Sequence, residues 1–247
     1  MTRPTIALLH GWGLDSRVWD ELAAALDADF DLRRLDLPGY HGTPELADNS
    51  VAATVDWLLG QLPEGCTLVG WSLGALLAQH MASQAPEKIA RLVLVAGTPC
   101  FTRGTDWPAG QPPELLATFS AAVQQQPDSV LSRFAALINQ GDAQARAITR
   151  RLAPLTRAPL PAPATLARGL EWLRDLDLRQ LAPRLAQPCL LLHGDQDPLM
   201  PLAAAQWLAA QLPQASLEVF PGSAHSPFLA DPERFARSLA AFAGGSL

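Results

Sequence analysis

The sequence predicts an α/β protein with a mostly parallel central sheet, helices flanking that sheet, and an inserted all-helical lid. Short apolar runs typical of strands alternate with helical patterns over residues 1–99 and again over residues 186–247. This alternation is typical of a parallel sheet that helices cover on both faces. Residues 100–185 contain no convincing strand and form the expected lid. The 247 residues suffice for one such core and a small inserted subdomain.

The first part of the predicted core contains four strands and three helices. Apolar, β-prone runs over residues 5–10, 31–37, 67–69 and 89–96 are the expected strands. Helical spacing of apolar residues predicts helices over 16–26, with Ser16 as the cap, and over 50–62. A third predicted helix, over 73–85, ends before Pro86, because proline cannot donate the backbone hydrogen bond that a continuing helix needs.

Prolines distinguish the lid from the second part of the core. Eight of them break the helical patterns of the lid, at positions 108, 112, 113, 127, 154, 159, 161 and 163. Beyond the lid we expect strands over 188–193 and 215–220, and helices over 202–212 and 232–242. Ligands of open parallel sheets bind beyond the carboxyl ends of the strands, so we expect the functional site there.

The composition argues against several classes of function. The net charge of -6 gives no reason to expect nucleic acid as a partner. No apolar run reaches the roughly 18 residues of a membrane-spanning helix, and the first residues lack the anatomy of a signal peptide. The three cysteines, Cys66, Cys100 and Cys189, are odd in number and lack metal-ligand spacing. We therefore expect a cytoplasmic protein without membrane contact, metal or cofactor.

The chain reads Gly70-Trp71-Ser72-Leu73-Gly74 between the third strand and the following helix. A turn of the form Gly-x-Ser-x-Gly holds its serine in a strained backbone conformation, so the residues two before and two after must be small. The serine also lies at the positive end of the following helix. Because the motif alone recurs by chance, its place between strand and helix and the residues downstream decide whether Ser72 is a nucleophile.

A nucleophilic serine needs a neighbouring base, and the base needs an acid that fixes its tautomer. His225 follows the last predicted strand and is the only histidine beyond His193. Two carboxylates, Asp195 and Asp197, follow the strand after the lid and compete for the role of the acid. Asp195 could instead bond nearby backbone N–H groups and stabilise the turn. The alternative for His225 is a solvated loop residue.

Acyl transfer by a serine also requires two N–H donors for the oxyanion. One expected donor is the backbone of Leu73, directly after the nucleophile. The second is the backbone of Trp12, in the glycine-rich loop His10-Gly11-Trp12-Gly13 after the first strand. Trp12 could equally be a plain core aromatic residue. His10 and His193 end strands and are candidates for the floor of the site.

The lid is unusually basic. Residues 129–168 carry six arginines and a single acid, Asp142. Arg146 and Arg150 are four residues apart and lie on one face of a helix. The arginines could form a solvated face or a basic platform for a phosphorylated or acidic partner. In the same window Phe134, Leu137 and Ile138 form an apolar stripe that could face the cavity or pack within the lid.

Together these motifs resemble the α/β-hydrolase superfamily over nearly the whole chain and, more narrowly, the pimeloyl-[acyl-carrier protein] methyl ester esterases of biotin synthesis. The resemblance is carried by five segments: His10-Gly11-Trp12-Gly13-Leu14, Gly70-Trp71-Ser72-Leu73-Gly74, Arg133-Phe134-Ala135-Ala136-Leu137, Asp175-Leu176-Asp177-Leu178-Arg179 and Ala224-His225-Ser226-Pro227-Phe228. It implies an α/β-hydrolase fold and a catalytic triad in the order Ser72, Asp197, His225. The spacing of Asp197 from Gly194 matches that of the family acid.

The resemblance also implies contacts in the lid. The implied substrate-binding residues are Trp12, Ser72, Leu73, Phe134, Ala135, Ala136, Leu137, Ile138 and His225. The arginines implied to bind an acidic acyl carrier protein are Arg133, Arg146 and Arg150. The chain departs from the family pattern at Ile138, where a glutamine is expected, and at Ser129, where a further arginine is expected.

The favoured function is therefore that of a serine carboxylesterase acting on the methyl ester of pimeloyl-[acyl-carrier protein]. A generic short-chain carboxylesterase or lactone hydrolase is an alternative, as is a lyase of menaquinone synthesis that uses the same triad. A non-catalytic receptor on the same scaffold is a third alternative. A haloalkane dehalogenase is disfavoured because it would carry aspartate where this chain has Ser72.

Overall fold

The computed structural model describes residues 3–157 and 159–245. The predictions for residues 1, 2, 158, 246 and 247 therefore lie outside the described residues. Within them, six strands form one parallel sheet with the order β2-β1-β3-β4-β5-β6. The strands are β1 (Thr5–Leu9), β2 (Asp31–Leu35), β3 (Cys66–Trp71), β4 (Ile89–Val95), β5 (Cys189–Gly194) and β6 (Ala215–Phe220).

The burial of the strands follows from their position in the sheet. β3 and β5 are buried at every residue, as expected of central parallel strands that are covered on both faces. The edge strands β2 and β6 keep half-buried or exposed residues. From β1 the chain goes first to β2 on one side and then to β3 on the other. The carboxyl ends of β1 and β3 therefore flank the crevice where ligands of such sheets bind.

In the described part of the chain, ten α-helices connect and cover the strands. They are α1 (Asp20–Leu26), α2 (Val51–Leu59), α3 (Leu73–Gln84), α4 (Pro113–Gln125), α5 (Pro127–Leu137), α6 (Ala145–Leu152), α7 (Pro163–Asp175), α8 (Leu202–Gln211), α9 (Pro227–Ala230) and α10 (Pro232–Gly244). Four of these, α4 to α7, lie in the segment between β4 and β5. None of the helices in the described parts of the chain combines the length and apolarity needed to cross a bilayer.

Prolines start the lid helices rather than only ending them. α4, α5 and α7 begin at Pro113, Pro127 and Pro163. Proline suits this position because the first N–H groups of a helix have no intrahelical acceptor, and its fixed φ is already helical. Between β4 and β5 the described residues contain only isolated β-bridges, such as Cys100 with Asp177.

Some details differ from the sequence predictions. The predicted Ser16 cap is wrong: a 3-10 turn over Ser16–Trp19 precedes α1, and the Asp15 side chain caps it by accepting the N–H of Arg17. Ser16 instead bonds Asp36 through both its N–H and its hydroxyl, at 2.7 Å each. The second strand ends at Leu35, two residues earlier than predicted, and the third continues to Trp71. The short helix α9 was not predicted.

Candidate active site

Ser72 lies in the turn between β3 and α3, with φ 57° and ψ −117°. A non-glycine residue with positive φ is strained and persists only where its surroundings hold it. Gly70 and Gly74 supply that constraint. A Cβ on Gly70 would collide with the Gly74 carbonyl, and one on Gly74 would collide with the carbonyls of Leu9 and His10. The turn is therefore closed by direct backbone contact, and Ser72 is only 5% exposed.

The loops after β5 and β6 bring Asp197 and His225 together. Gly194 makes this possible, since a Cβ there would collide with the backbone carbonyls of Ser223 and Ala224. The Nδ1–H of His225 donates to Asp197 Oδ2 at 2.7 Å, and both side chains are completely buried.

The second oxygen of Asp197 is also satisfied. Its Oδ1 accepts the backbone N–H groups of Leu199 and Met200, each at 2.9 Å. The carboxylate is thus held by three donors and cannot turn away from His225 without breaking at least one of these bonds. Asp195 points elsewhere: its Oδ1 accepts the N–H of Gly222, in the loop after β6, at 2.7 Å, rather than an N–H of its own turn as the alternative expected. The structure therefore places Asp197, rather than Asp195, against the histidine.

The other ring nitrogen of His225, Nε2, makes no such bond. With Nδ1 donating to Asp197, Nε2 carries the lone pair, and it is buried without a hydrogen-bond partner. The backbone of His225 is anchored on both sides: its carbonyl accepts from Trp71 Nε1 at 2.8 Å, and its N–H donates to the Ile138 carbonyl at 3.1 Å. In this conformation the Ser72 hydroxyl does not bond Nε2.

The two residues predicted to supply oxyanion donors, Leu73 and Trp12, lie near Ser72. Leu73 opens α3, so its N–H belongs to the first turn, whose N–H groups have no intrahelical acceptor. The loop after β1 lies directly against Ser72, because a Cβ on Gly11 would be 3.0 Å from Ser72 Cβ. The Trp12 side chain is also a core residue: its indole N–H donates to the Leu166 carbonyl at 2.7 Å, and the residue is 1% exposed.

Ser72 opens into a narrow apolar cavity of about 20 Å³, close to the room that one water molecule needs. Three of the predicted substrate-binding residues line it: Trp12, Ser72 and Phe134. Seven further lining residues were missed by the sequence analysis: Phe101, Leu115, Leu116, Phe119, Leu170, Leu173 and Leu199. Five of these lie on α4 and α7 at spacings of three and four residues. That apolar periodicity was a signal that could have identified them.

The remaining predicted substrate contacts do not line this cavity. Ala135 and Ile138 are buried, Leu137 is half-buried, and Ala136 is exposed. Ile138 instead touches the site through its carbonyl, which accepts the His225 N–H. α5 ends at Leu137, so the predicted apolar stripe of Phe134, Leu137 and Ile138 reaches the cavity only at Phe134.

Asp142 is a residue whose place at the site the sequence did not reveal. It is 8% exposed, and its Oδ2 accepts the N–H of Ala224, directly before His225, at 2.8 Å. Its Oδ1 accepts the N–H of Gln144 at 2.7 Å. Next to it, the N–H of Ala143 donates to the Gly222 carbonyl at 3.0 Å. The turn between α5 and α6 is therefore hydrogen-bonded to the loop after β6 that contains His225, which we call the histidine loop.

The six arginines of the basic window divide into two groups. Arg151 pairs with Glu21, and Arg168 pairs with Glu45. The other four are exposed and make no ion pair within the described residues: Arg133, Arg146, Arg150 and Arg157. The three arginines predicted to bind a carrier protein are thus exposed on α5 and α6.

His10 and His193 lie at the carboxyl ends of β1 and β5, and both are buried in the neutral form. His10 Nδ1 donates to the Gly11 carbonyl at 2.8 Å, and its Nε2 accepts the Leu37 N–H at 3.0 Å. His193 Nε2 donates to the Met200 carbonyl at 2.6 Å. Burial lowers the pKa of both imidazoles below the ordinary value, because the charged form would lose its hydration.

One group of side chains has the proximity of metal ligands, although no metal site was expected. Asp15, Asp36 and His41 have ligand atoms within 4.8 Å of one another. The Asp15 carboxylate, however, accepts two bonds from the Arg17 guanidinium, at 2.8 and 2.6 Å. Asp36 accepts two more from Ser16. We therefore assign these carboxylates to the structure of the loops after β1 and β2.

Comparison with known proteins finds relatives that cover most of the chain. Residues 6–238 match the model of a family described as the alpha/beta hydrolase family. The pimeloyl-[acyl-carrier protein] methyl ester esterase of Aromatoleum aromaticum is 42% identical over 94% of this chain and 95% of its own length. The protein of the same name from Nitrosomonas europaea is 39% identical over 94% of this chain and 92% of its own.

Solved structures show the same fold at low sequence identity. An esterase from Exiguobacterium antarcticum superimposes with a TM-score of 0.90 at 21% identity, covering 99% of this chain and 93% of its own. The enol-lactonase from Burkholderia xenovorans gives a TM-score of 0.86 at 18% identity, covering 99% and 93%.

Proposed function

The chain belongs to the alpha/beta hydrolase family, and from that premise we propose that it is a serine carboxylesterase that hydrolyses the methyl ester of pimeloyl-[acyl-carrier protein]. The product would be the free pimeloyl carboxylate that biotin synthesis uses. The observation that carries the chemistry is the fully buried Asp197–His225 pair, whose Nε2 has no partner. The strained Ser72 directly follows Trp71, which bonds the His225 carbonyl. The choice of substrate rests on the names of the similar proteins described above.

In the proposed mechanism a rotation of the Ser72 side chain brings its hydroxyl to His225 Nε2. Nε2 takes the hydroxyl proton while Oγ forms a bond to the ester carbonyl carbon. The carbonyl oxygen becomes negative and accepts the N–H groups of Leu73 and Trp12. The imidazolium then gives its proton to the departing methoxide, and methanol leaves an acyl-Ser72 enzyme. Water, deprotonated by Nε2, hydrolyses that intermediate and restores the serine.

Asp197 acts through the histidine. Its carboxylate holds Nδ1–H, so the lone pair stays on Nε2, and it stabilises the imidazolium that forms in each half-reaction. The backbone N–H groups of Leu199 and Met200 hold the carboxylate in the position that this role requires. Each step uses side chains, backbone N–H groups and water, so the proposal calls for no cofactor.

The lid, which we assign to residues 100–185, supports a carrier-linked substrate in two ways. Arg133, Arg146 and Arg150 offer exposed positive charge on a chain of net charge -6, which suits an acidic carrier protein. The cavity at Ser72 is apolar, which suits the methylene chain of a pimeloyl group. A cavity of about 20 Å³ does not hold that chain, so we propose that the lid rearranges when substrate binds.

We place the reaction in the cytoplasm. Cys66, Cys100 and Cys189 are free and buried, and burial raises the pKa of Cys66 to about 11 and that of Cys189 to about 12. Such thiols stay protonated and unreactive at neutral pH, which fits a reducing compartment where no disulfide is needed.

A second candidate is a hydrolase of small esters or lactones without a carrier. The small size of the cavity favours it, because a short acyl group needs the least rearrangement of the lid. Both candidates use the same triad and differ only in the partner that the exposed arginines would bind.

Rescue of biotin auxotrophy in an esterase-deficient bacterium tests the main proposal. We expect the wild-type gene to restore growth without biotin and the Ser72→Ala variant, expressed to the same level, to fail. The purified proteins should be assayed in parallel with p-nitrophenyl acetate. Failure of a folded wild-type enzyme to rescue, with turnover of p-nitrophenyl acetate intact, would reject the carrier-linked substrate and leave the small-ester hydrolase.

A further inference from the structure

Two spaces on opposite sides of one wall lie between α4 and α7. The inner space is the cavity at Ser72, of about 20 Å³. The outer space is a surface groove of about 410 Å³ between the same two helices. Leu116 of α4 and Leu170 of α7 line both spaces, and each is at most 5% exposed. The two leucine side chains are thus the partition between the cavity and the groove.

The chemistry of the triad indicates which half of an ester enters this cavity. His225 Nε2 has to protonate the departing alkoxide, so the alcohol half must lie on the histidine side of Ser72. His225 is not among the residues that line the cavity, whereas Trp12 is. The cavity therefore takes the acyl half, with the carbonyl oxygen directed to the N–H groups of Trp12 and Leu73.

We propose that Leu116 and Leu170 determine the acyl chain length of the esters that the enzyme accepts. This inference rests on the triad of the proposed function. With the wall in place, the cavity of about 20 Å³ leaves little room beyond the carbonyl, and short acyl groups are favoured. A longer chain has to part the two leucines, and its far end then lies in the groove outside.

The two sides of the wall differ in how firmly they are held. On α7, Leu166 accepts the indole N–H of Trp12, and a Cβ on Gly169 would be 2.6 Å from the Trp12 ring. These contacts fix the position of Leu170 relative to the glycine-rich loop that contains Trp12. On α4, Phe119 meets Trp12 through an edge-on aromatic contact, with ring centroids 6.0 Å apart. We expect α4, which lacks such a bond, to move when a longer chain enters.

The groove can receive a chain because Leu116 and Leu170 give it an apolar lining and α4 contributes three small side chains to it. Its other lining residues are Pro113, Ala117, Ser120, Ala121, Gln124, Glu171 and Arg174. Ala117 and Ala121 are exposed on one face of α4, four residues apart. A large side chain at Ala117 would therefore close the groove without touching the cavity, which does not include this residue.

The test is the acyl preference of purified variants on p-nitrophenyl esters from acetate to decanoate. We expect Leu116→Ala and Leu170→Ala each to raise the ratio of kcat/KM for octanoate to that for acetate by about tenfold or more. Leu116→Phe thickens the wall and should lower the same ratio. Leu115→Ala is the matched control, since Leu115 lines the cavity but not the groove, and its ratio should change by much less.

A second variant identifies the groove as the space that receives the chain. Ala117→Trp, added to Leu116→Ala, should return the octanoate to acetate ratio toward that of the wild type. The proposal is overturned if folded variants at both leucines keep the wild-type ratio, or if Leu115→Ala raises it equally. If the wild-type protein hydrolyses none of these esters in a reaction that depends on Ser72, the proposed function itself is rejected.

Discussion

The two halves of the site are held by different forces. On the sheet side, Asp197 accepts three hydrogen bonds, and both backbone groups of His225 are paired. On the lid side, the cavity is walled by aromatic rings and leucines, with Ser72 as its single polar residue. Directional bonds fix the positions of the reacting groups, whereas apolar packing is non-directional and can be repacked. The core is therefore expected to set the reaction and the lid to set the substrate.

The two halves meet at several points, among them the bond from Trp12 to the Leu166 carbonyl. One of these points, here called the seam, is the turn between α5 and α6, which bonds the histidine loop through Ile138, Asp142 and Ala143. A change at the seam should alter the chemistry as well as the choice of substrate.

The largest expected effect lies in the core. Asp197→Asn leaves the shape of the site but removes the charge that fixes the tautomer of His225, so kcat should fall by about 10⁴-fold. Asp195→Asn is the matched control. The Asp195 carboxylate bonds the Gly222 backbone and the Gln196 side chain rather than His225, so this variant should change kcat by less than about tenfold. The measurement is steady-state hydrolysis of p-nitrophenyl acetate. Equal losses in both variants would contradict the assignment of the acid.

The second prediction concerns the exposed arginines of the lid. Combining Arg146→Glu with Arg150→Glu should lower kcat/KM for the carrier-linked methyl ester by about 10- to 100-fold, because like charges would then face the acidic carrier. Turnover of p-nitrophenyl acetate should be unchanged, and the loss should shrink as salt is added.

The control for this pair is Arg237→Glu, a charge reversal of an exposed arginine on α10. It should leave the carrier-linked reaction nearly as in the wild type. If the control and the double variant lose the same activity, net charge rather than a docking face explains the effect.

The third prediction tests the seam. Asp142→Ala leaves the buried N–H of Ala224 without an acceptor, at a cost of about 1–3 kcal/mol in the free energy of unfolding. Because Ala224 precedes His225, kcat for p-nitrophenyl acetate should fall by about tenfold with little change in KM. Asp142→Asn should recover part of the loss, and Asp128→Ala, at an exposed site on α5, should have no effect. A loss of stability with full activity would make Asp142 a purely structural residue.

The smallest expected effect is a pH dependence of stability that comes from the core. Burial lowers the pKa of His10 and of His193 in the folded state, so the unfolded chain binds more protons below pH about 6.5. The free energy of unfolding should therefore fall as pH drops from 7.5 to 5.5, by at most about 1.4 kcal/mol per pH unit for each histidine. Urea unfolding at both pH values measures it. His193→Gln should flatten the dependence, and a free energy that rises toward pH 5.5 would contradict it.

The core half of the site could be predicted from the sequence because the motifs that define it are local. Gly70 and Gly74 flank Ser72 within one turn, and the structure shows that a Cβ at either would collide with backbone. His225 had no competing histidine beyond residue 193. The strand order was not accessible, since pairing between β1 and β3 joins residues that are far apart in the chain.

The lid half was less accessible because its contacts depend on packing between distant helices. Phe134 was predicted to reach the substrate and lines the cavity, but Leu116 and Leu170 carried no motif that separated them from ordinary core leucines. Asp142 was counted only as the single acid of a basic window. Its bond to Ala224 joins residues 82 positions apart in the sequence, and no local sequence pattern predicts such a contact.

The most direct test of the whole account is to identify the residue that becomes acylated. The wild-type protein should be mixed with a p-nitrophenyl alkylphosphonate, which traps an activated serine covalently, and then digested and analysed by mass spectrometry. We predict one adduct, on the peptide that contains Ser72, and none in the His225→Ala variant under the same conditions. An adduct on a different residue, or labelling of Ser72 that does not require His225, would contradict the account.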